Sequence, residues 1–404
     1  MPNKILILTD SIAPPAFAPR VVSLCRHLTG KGWGCAVFSD REEGVPSFSD
    51  ACGTWYQTAY YQSGNKRQRY IADKIFDARE KKFMRFIESQ VHVEDFDVIL
   101  CSTCYYFPLQ TTYRLTRKYH KPFIVDIRDI AEQWGKIAYN TFSVGSSRWL
   151  NRMLHRLFSA VNIRRRNRVL AAADHVITIS PWHQEQLRRY NPNTHLVYNG
   201  FDKEEFYPKE VRMHRFIISY AGKIYNLRFR DPRLLFEAAG QLLKEIPSLQ
   251  QDLQLVFHVD EGSVLPLREL AAQYGLEPYC DISGYIPKSG LLTFLQRSSI
   301  LLVLTCKSTP EGAHGIMGTK FFEAMGVEKP VLCVRSDEEC LAQVIEETDA
   351  GLAATDVESV KRFIIEIYRE WQTKGHTHRK IKNKSLFSRE AQSEQILQII
   401  KTVI

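Results

Sequence analysis

The sequence predicts an α/β protein of two domains, each built on a doubly wound parallel sheet. Three observations carry that expectation. A chain of 404 residues is too long for one typical hydrophobic core, so two domains is the default. Short apolar runs such as KILIL at Lys4–Leu8 and FIISYA at Phe216–Ala221 have the length of strands buried on both faces. Each is followed by a loop, a helical stripe and another strand, the repeating unit of such sheets.

Composition narrows the class. Hydrophobic residues are 44% and charged residues 25% of the chain, the balance of a soluble globular protein. No apolar run approaches about 18 residues, so no transmembrane helix is expected. The start, MPNKILILTD, has too short an apolar run for a signal-peptide core, and a cytoplasmic protein is expected. Nine scattered cysteines fit reduced thiols, not a disulfide framework. Cys101 and Cys104 form a CxxC, but without a second CxxC or a paired His they read as buried or half-buried thiols. The net charge of +9 (54 basic minus 45 acidic) favours an anionic partner. Nucleotide diphosphates, anionic lipid headgroups and nucleic acid all meet that description.

In the first domain, strand Lys4–Leu8 leads into a loop, Thr9–Pro19, rich in proline and small residues. Pro19 suits the first turn of a helix. Val21, Val22, Leu24, Cys25 and Leu28 give that helix an apolar stripe. Gly30-Lys31-Gly32 ends it, and Cys35–Phe38 is the next strand. Trp55, Tyr56, Tyr60 and Tyr61 read as sheet packing, with an acceptor groove as the alternative, and a basic helix is expected around Lys66–Lys82. Strands come next at Asp97–Leu100 and Pro122–Ile127. Ligands of open α/β sheets bind beyond the carboxyl ends of strands, so Asp126, Arg128 and Asp129 sit where chemistry is expected. The plainer reading is an Arg–Asp pair that ties the loop. Arg148–Arg168 is a basic helix whose apolar side carries Trp149, Leu150, Met153, Leu154, Leu157, Phe158 and Val161. It reads either as a core-facing helix with a solvated basic face or as one that docks on an anionic membrane. Ala173–Ser180 is a strand, Asn199-Gly200 a tight turn, and the domain ends near Pro208.

The second domain opens with strand Phe216–Ala221, then Gly222, Lys223 and a basic loop to Arg230-Asp231-Pro232, then a helix over Arg233–Lys244. Strand, glycine, basic loop and helix in that order make a place for phosphate, and the Arg230 guanidinium presents a planar fork to its oxygens. The plainer reading is a charged surface loop. Beyond it lie a strand at Leu253–Val259, a helix at Leu265–Tyr274, a strand at Cys280–Gly284 and a helix from Ser289. Next come strand Ser299–Leu304, a loop with Pro310, Gly312, Gly315 and Gly318, and a helix over Lys320–Met325, with Thr319 as N-cap and Gly326 as its stop. Val331–Val334 is the next strand. A glycine-rich loop feeding a helix start makes an anion site, to which Lys320 adds a full charge. Glu323, three residues on, faces the same side and can accept a ribose hydroxyl. Residues 374–384 read as a linker, and Ser388–Val403 as a final helix.

Lys320-Phe321-Phe322-Glu323-Ala324-Met325 followed by Lys329-Pro330-Val331-Leu332 resembles the nucleotide-sugar end of GT-B glycosyltransferases, in particular the family 4-like enzymes of bacterial surface-polysaccharide synthesis. The likeness extends over nearly the whole chain. It includes Pro14-Pro15, Arg20 and Gly32-Trp33; the D-I-R-D string from Asp126 to Asp129, with Trp134 beyond; the ADHVITIS strand with Tyr198–Asp202; Arg230-Asp231-Pro232; and Tyr285–Lys288. It implies a GT-B fold, two Rossmann-like domains facing across a cleft. Residues 1–207 would form the acceptor domain, 208–387 the donor domain, and the helix in 388–404 would pack back onto the first.

The reaction implied is transfer of a sugar, with retained configuration, from a nucleotide-diphosphate donor to a hydroxyl. Lys223, Arg230, Gly318 and Lys320 would hold the diphosphate and Glu323 the ribose. Asp129 would orient or deprotonate the acceptor hydroxyl or bind the sugar, and Arg20, Phe17 and Arg128 would lie on the acceptor side. Arg20 otherwise reads as a solvated helix residue. The chain departs from the pattern twice. Ala16-Phe17-Ala18-Pro19 stands where the family has Gly-Gly before the arginine, which points to an altered acceptor pocket. In the family's E-x7-E the first glutamate is here Gly315, with Glu311 and His314 as neighbouring candidates. No cofactor and no metal is expected, the nucleotide sugar being a co-substrate. The expected partners are that donor, a glycan or lipid-linked acceptor, and an anionic surface at the inner face of a membrane. Nucleic acid is not expected, because the basic residues fall in phosphate loops and one helix. A GT-B-fold sugar-nucleotide epimerase and a catalytically silent GT-B module that binds nucleotide or glycan remain the alternatives.

Overall fold

The computed structural model describes residues 2–11, 19–41, 47–58, 72–73, 76–134, 148–224, 227, 229–306, 313–335 and 339–404. They fall into two units. One holds the described residues up to Tyr198 together with Arg389–Ile404; the other holds Asn199–Ser388.

In the first unit, β1 (Lys4–Ser11), β2 (Gly34–Asp40), β3 (Thr54–Thr58), β4 (Val98–Thr103), β5 (Phe123–Ile127), β6 (His175–Thr178) and β7 (Thr194–Leu196) form one sheet, ordered β3-β2-β1-β4-β5-β6-β7. All pairings are parallel. The apolar runs do not alternate with polar residues because both faces are covered. Leu6, Leu8, Phe38, Ile99 and Val125 pack on one face with Phe83 and Ile87 of α2 (Ala78–Gln90) and Leu115 of α3 (Leu109–Tyr119). Ile5, Ile7, Val37, Leu100 and Ile124 pack on the other with Val21, Leu24 and Leu28 of α1 (Pro19–Gly30). The C-terminal helix Arg389–Ile400 adds Ile396, Leu397 and Ile400 to that second face. His27 of α1 pairs with Glu394 at 2.8 Å. Each such fully buried Leu or Ile contributes about 1.5–3 kcal/mol.

Two expectations for this unit are modified. Of the helix placed around Lys66–Lys82, Ala72, Asp73 and Phe76 are helical, and a helix runs from Ala78 to Gln90, anchored to the sheet by Phe83 and Ile87, four apart; residues 59–71, 74 and 75 lie outside the described residues. The core-facing reading of the basic helix fails at three of its apolar positions, while the side chains of Leu150 and Leu154 lie outside those described. In α4 (Arg148–Ala172), Trp149, Met153 and Leu157 are 70%, 45% and 56% exposed. Among its described side chains, those that are buried lie at the far end: Arg166, Val169 and Leu170. A helical stripe says which residues share a face, not whether anything covers that face.

In the second unit, β8 (Phe216–Ala221), β9 (Leu253–His258), β10 (Cys280–Ser283), β11 (Ile300–Leu304), β12 (Val331–Val334) and β13 (Gly351–Ala354) form a sheet ordered β10-β9-β8-β11-β12-β13, again all parallel. The helix α5 (Pro181–Arg188) belongs to the first unit; α6 (Arg233–Glu245), α7 (Glu261–Gln273), α8 (Lys288–Gln296), α9 (Thr319–Val327), α10 (Cys340–Thr348) and α11 (Val357–Lys374) belong to the second. Phe216, Ile218, Leu255, Phe257, Leu302 and Leu332 form its core with Phe236, Ile364 and Trp371.

Three boundaries differ from expectation. α7 begins at Glu261, ahead of Leu265, because Asp260 turns the chain and accepts the Ser263 hydroxyl at 2.9 Å. α9 is capped by Gly318, not Thr319, and runs through Gly326 to end at Glu328, which takes a left-handed backbone (φ 54°). Gly326 is a packing glycine: a Cβ there would lie 2.6 Å from Phe206 Cβ and 3.0 Å from Phe201 Cδ2. The expected linker, residues 374–384, is strapped down. Thr377 and Ile381 are buried, Arg379 pairs with Asp349, and Lys384 pairs with Glu328 at 2.7 Å. Its charges read as solvated because their partners lie elsewhere in the chain.

Candidate functional site

The second sheet turns its strand order back between β8 and β11. Ligands of such sheets bind beyond the carboxyl ends of the strands at that point. A glycine and a basic loop follow β8, and α9 is the next element after β11. Tyr220, near the end of β8, is buried and gathers the cations there. Its hydroxyl donates to the Lys223 carbonyl at 3.1 Å and accepts from Arg230 Nη1 at 3.1 Å. Arg230 Nη1 donates to the same carbonyl. Lys320 Nζ lies 5.8 Å from the Tyr220 ring centroid. Two cations from separate segments therefore meet on one aromatic side chain. Lys223 itself is exposed, and its backbone rather than its amine supports Arg230.

Gly222 makes room for this. A Cβ on it would lie 2.0 Å from Lys320 Cε and 2.2 Å from Nζ, and its φ of +149° suits glycine alone. Among the described residues no carbonyl or carboxylate bonds Lys320 Nζ. Burial lowers the Lys320 pKa; the Glu323 carboxylate pulls it back and the Arg230 charge lowers it further. Such a cation is stabilised when an anion joins it. The start of α9 acts in the same direction. Gly318 has extended backbone and, among the described residues, no side chain caps the helix, so its first N–H groups stay available at the positive end of the dipole. Glu323 is half-buried one turn further along.

A second cation group adjoins the first. Asp231 is buried and accepts from Arg233 Nε at 2.9 Å and from Arg335 Nε at 3.1 Å. The Arg335 carbonyl takes the Thr305 hydroxyl at 2.6 Å, which ties the segments after β11 and β12 together. Gly315, at the place of the family's first glutamate, has φ +63°. It supplies no carboxylate, and a glutamate there would be strained. Beside it, His314 Nδ1 lies 3.1 Å from Glu339 Oε1. Glu311 lies outside the described residues.

In the first unit, the sheet turns back between β1 and β4. Arg128 Nη2 donates to Asp10 Oδ1 at 2.9 Å, and Asp10 Oδ2 accepts the Cys104 N–H at 2.8 Å. Asp129 Oδ1 accepts from Gln133 Nε2 at 3.0 Å. Burial raises the Asp129 pKa, opposed by Gln133 and by the Arg128 charge. The neighbouring Arg128 and Asp129 thus turn to different partners. Arg20 is no solvated residue either: it is buried, and it donates to Asp126 Oδ2 (3.0 Å) and to the Tyr198 and Val197 carbonyls (2.7 and 3.1 Å). It closes the sheet and does not face a ligand with any of these bonds. Phe17 lies outside the described residues. Among the described residues no group of three His, Cys, Asp or Glu could hold a metal ion.

Sequence reasoning missed Asp10, Tyr220 and Arg335. Asp10 and Arg335 carry the signal that singled out Asp129, a charged residue at the carboxyl end of an apolar strand. Tyr220 carries none, since a strand tyrosine reads as core.

Comparison with known proteins agrees with this geometry. Residues 19–205 match the model for Glycosyltransferase Family 4, and residues 202–385 match that for Glycosyl transferases group 1. The chain belongs to the family 4-like GT-B glycosyltransferases. As a member of that group it is a nucleotide-sugar-dependent glycosyltransferase. No curated protein matches this glycosyltransferase in sequence. Among solved structures it is similar to sucrose-phosphate synthase of Thermosynechococcus elongatus, with TM-score 0.67 and 18% identity over 99% of this chain and 98% of that one. It is similar to HepE of Anabaena in complex with UDP-glucose, with TM-score 0.59 and 13% identity over 99% of each chain. A UDP-GlcNAc 2-epimerase from Methanocaldococcus jannaschii shares the fold, with TM-score 0.54 and 12% identity over 99% of each chain. At such identities the likeness shows the two-sheet GT-B fold of the glycosyltransferase.

Proposed function

We propose that this glycosyltransferase moves a sugar, with retained configuration, from a nucleotide-diphosphate donor to a hydroxyl in polysaccharide or glycolipid synthesis. The observation that carries the donor assignment is the pair Lys320 and Arg230, held on Tyr220 beside the open start of α9. Charge develops on the departing diphosphate as the sugar leaves. Preorganised cations and N–H groups stabilise it without reorganising. Glu323 accepts from the ribose, and Lys223 adds charge at the rim. His314, oriented by Glu339, takes the place left by the missing glutamate near the transferred sugar. Asp129 takes the acceptor proton; its raised pKa makes it a better base than an exposed carboxylate. The scheme uses no cofactor and no metal.

The exposed face of α4 supports an acceptor at an anionic membrane. Trp149, Met153 and Leu157 recur every four residues, and the helix RWLNRMLHRLFSAVNIRRRNRVLAA contains no acidic residue. Apolar side chains set in a cationic helix insert among anionic headgroups. Among the described residues no helix is long and apolar enough to cross a membrane.

A thermal-shift screen of UDP-, GDP-, ADP- and dTDP-sugars tests the reading. One nucleotide stabilises the protein and Arg230→Ala and Lys320→Ala lose the effect. An epimerised donor formed without acceptor would replace transfer by epimerisation. Binding without turnover under any acceptor would mark a silent module.

A further inference from the structure

Two arginines at the ligand end of the second sheet have hydrogen-bonding capacity that the diphosphate assignment does not use. Arg233 opens α6, and Arg335 directly follows β12. Both reach one buried carboxylate. Asp231 Oδ2 lies 2.7 Å from Arg233 Nη2 and 3.1 Å from Arg335 Nε. One carboxylate between two guanidinium groups leaves a positive charge in excess. The two side chains remain 47% and 44% exposed, so Asp231 fixes them without covering them. Among the described residues, Arg335 Nη1 and Nη2 and Arg233 Nη1 make no hydrogen bond.

Arg335 is also held in an unusual conformation. Its backbone is left-handed (φ 51°), which is uncommon for a side chain of this size. The Thr305 hydroxyl, 2.6 Å from its carbonyl, and Asp231 at its guanidinium keep it there. Such backbone persists where the surroundings fix it and concentrates at ligand clamps. An arginine that only solvates the surface needs neither anchor.

The place of the pair in the fold limits what it receives. Asp231 directly follows Arg230, the arginine on Tyr220. Glu339, four residues past Arg335, has its carboxylate 3.1 Å from His314, the neighbour of Gly315. The pair is thus tied on one side to the diphosphate cations and on the other to the segment assigned above to the transferred sugar. Gly315 offers no acceptor to sugar hydroxyls, and guanidinium groups only donate. A planar fork of N–H donors matches the oxygens of a carboxylate or a phosphate.

We infer that Arg233 and Arg335 form a second anion site, for a carboxylate or phosphate group, apart from the site of the diphosphate. That this group is carried by the transferred sugar, which makes the donor a nucleotide hexuronate or a sugar of like charge, rests on the transferase reading above. Anion binding itself does not.

Calorimetry on the full chain tests it with UDP-, GDP-, ADP- and dTDP-linked hexoses, each beside the matching hexuronate. For the nucleotide that binds, the acidic member binds about tenfold or more tightly than the neutral one, the size of a charge-assisted contact. Arg335→Asn and Arg233→Gln each bring that ratio below about threefold. Asparagine suits the left-handed backbone, so the first variant keeps its fold, as circular dichroism checks. Lys320→Ala weakens both members alike and keeps the ratio, which separates this site from that of the diphosphate. Inorganic phosphate is titrated into Lys320→Ala with and without Arg335→Asn, and the second change weakens its binding. A neutral donor bound as tightly as the acidic one, or a ratio unchanged in both variants, overturns the assignment to the sugar. Phosphate binding that ignores Arg335→Asn overturns the site itself. Weaker phosphate binding in Arg335→Asn, with no donor bound by the wild type, keeps the anion site and removes the transferase reading.

Discussion

The two ends of α9 carry the two lysines of one sequence pattern, and they do different work. Lys329, past the end of the helix, is buried and donates to the Thr377 carbonyl at 3.0 Å. Thr377 in turn bonds the Ser299 carbonyl at 2.7 Å, so the amine pins the C-terminal strap to the sheet. Lys320, at the helix start, is also depressed in pKa by burial. Among the described residues its amine meets an aromatic face and a neighbouring arginine instead of an acceptor. A buried cation with its acceptor in place is scaffold. On the function proposed above, one that meets no acceptor among the described residues, beside a second cation and an open helix end, is built for an anion that arrives. Arg20 belongs with Lys329, since three acceptors within the first unit occupy its guanidinium.

Substitutions can break that distinction, beginning with the largest effect. Arg20→Met leaves Asp126 buried without its cation and costs about 3–5 kcal/mol, read as a lower urea midpoint. Lys320→Ala does the reverse. It lowers transfer by about 100- to 1,000-fold, the size expected for one preorganised group on a developing charge, while the urea midpoint stays or rises. A fall in stability with activity retained would move Lys320 to the scaffold class. Gly222→Ala pushes a methyl into the end of the Lys320 side chain, at Cε and Nζ, and weakens donor binding by about tenfold, or about 1.4 kcal/mol, seen by calorimetry.

The smallest effect is a pH dependence. Burial pushes the Lys329 pKa down to about 8 from an ordinary 10.5. Between those values the unfolded chain holds a proton that the folded chain has released, so stability rises with pH across that window. Denaturant midpoints taken from pH 8 to 10 should climb in the wild type and climb less in Lys329→Met. Equal slopes would mean that the amine titrates as if it were in water.

Much of this is legible in the sequence for a local reason. Apolar runs mark strands, and the loop after each strand marks the ligand end, which singles out Lys320, Arg230 and Asp129. The features that sort them are not local. Arg20 meets Asp126 106 residues away, Lys329 meets Thr377 48 residues away, and Gly222 is shaped by a lysine on α9. Tyr220 looks like any core aromatic until two cations are found on it. The α4 stripe shows the opposite limit: its period is readable, but its exposure at Trp149 depends on what the fold leaves uncovered.

The central claim is that the end of β8 and the start of α9 form the diphosphate site. Titration calorimetry with UDP, GDP, ADP and dTDP, each beside its nucleoside, tests it most directly on wild type, Lys320→Ala, Arg230→Ala and Lys329→Met. The account predicts that one diphosphate binds while its nucleoside binds at least 100-fold more weakly. It also predicts that the first two variants lose most of that difference and that Lys329→Met keeps it. A diphosphate that binds Lys320→Ala and Arg230→Ala as tightly as wild type would contradict the account.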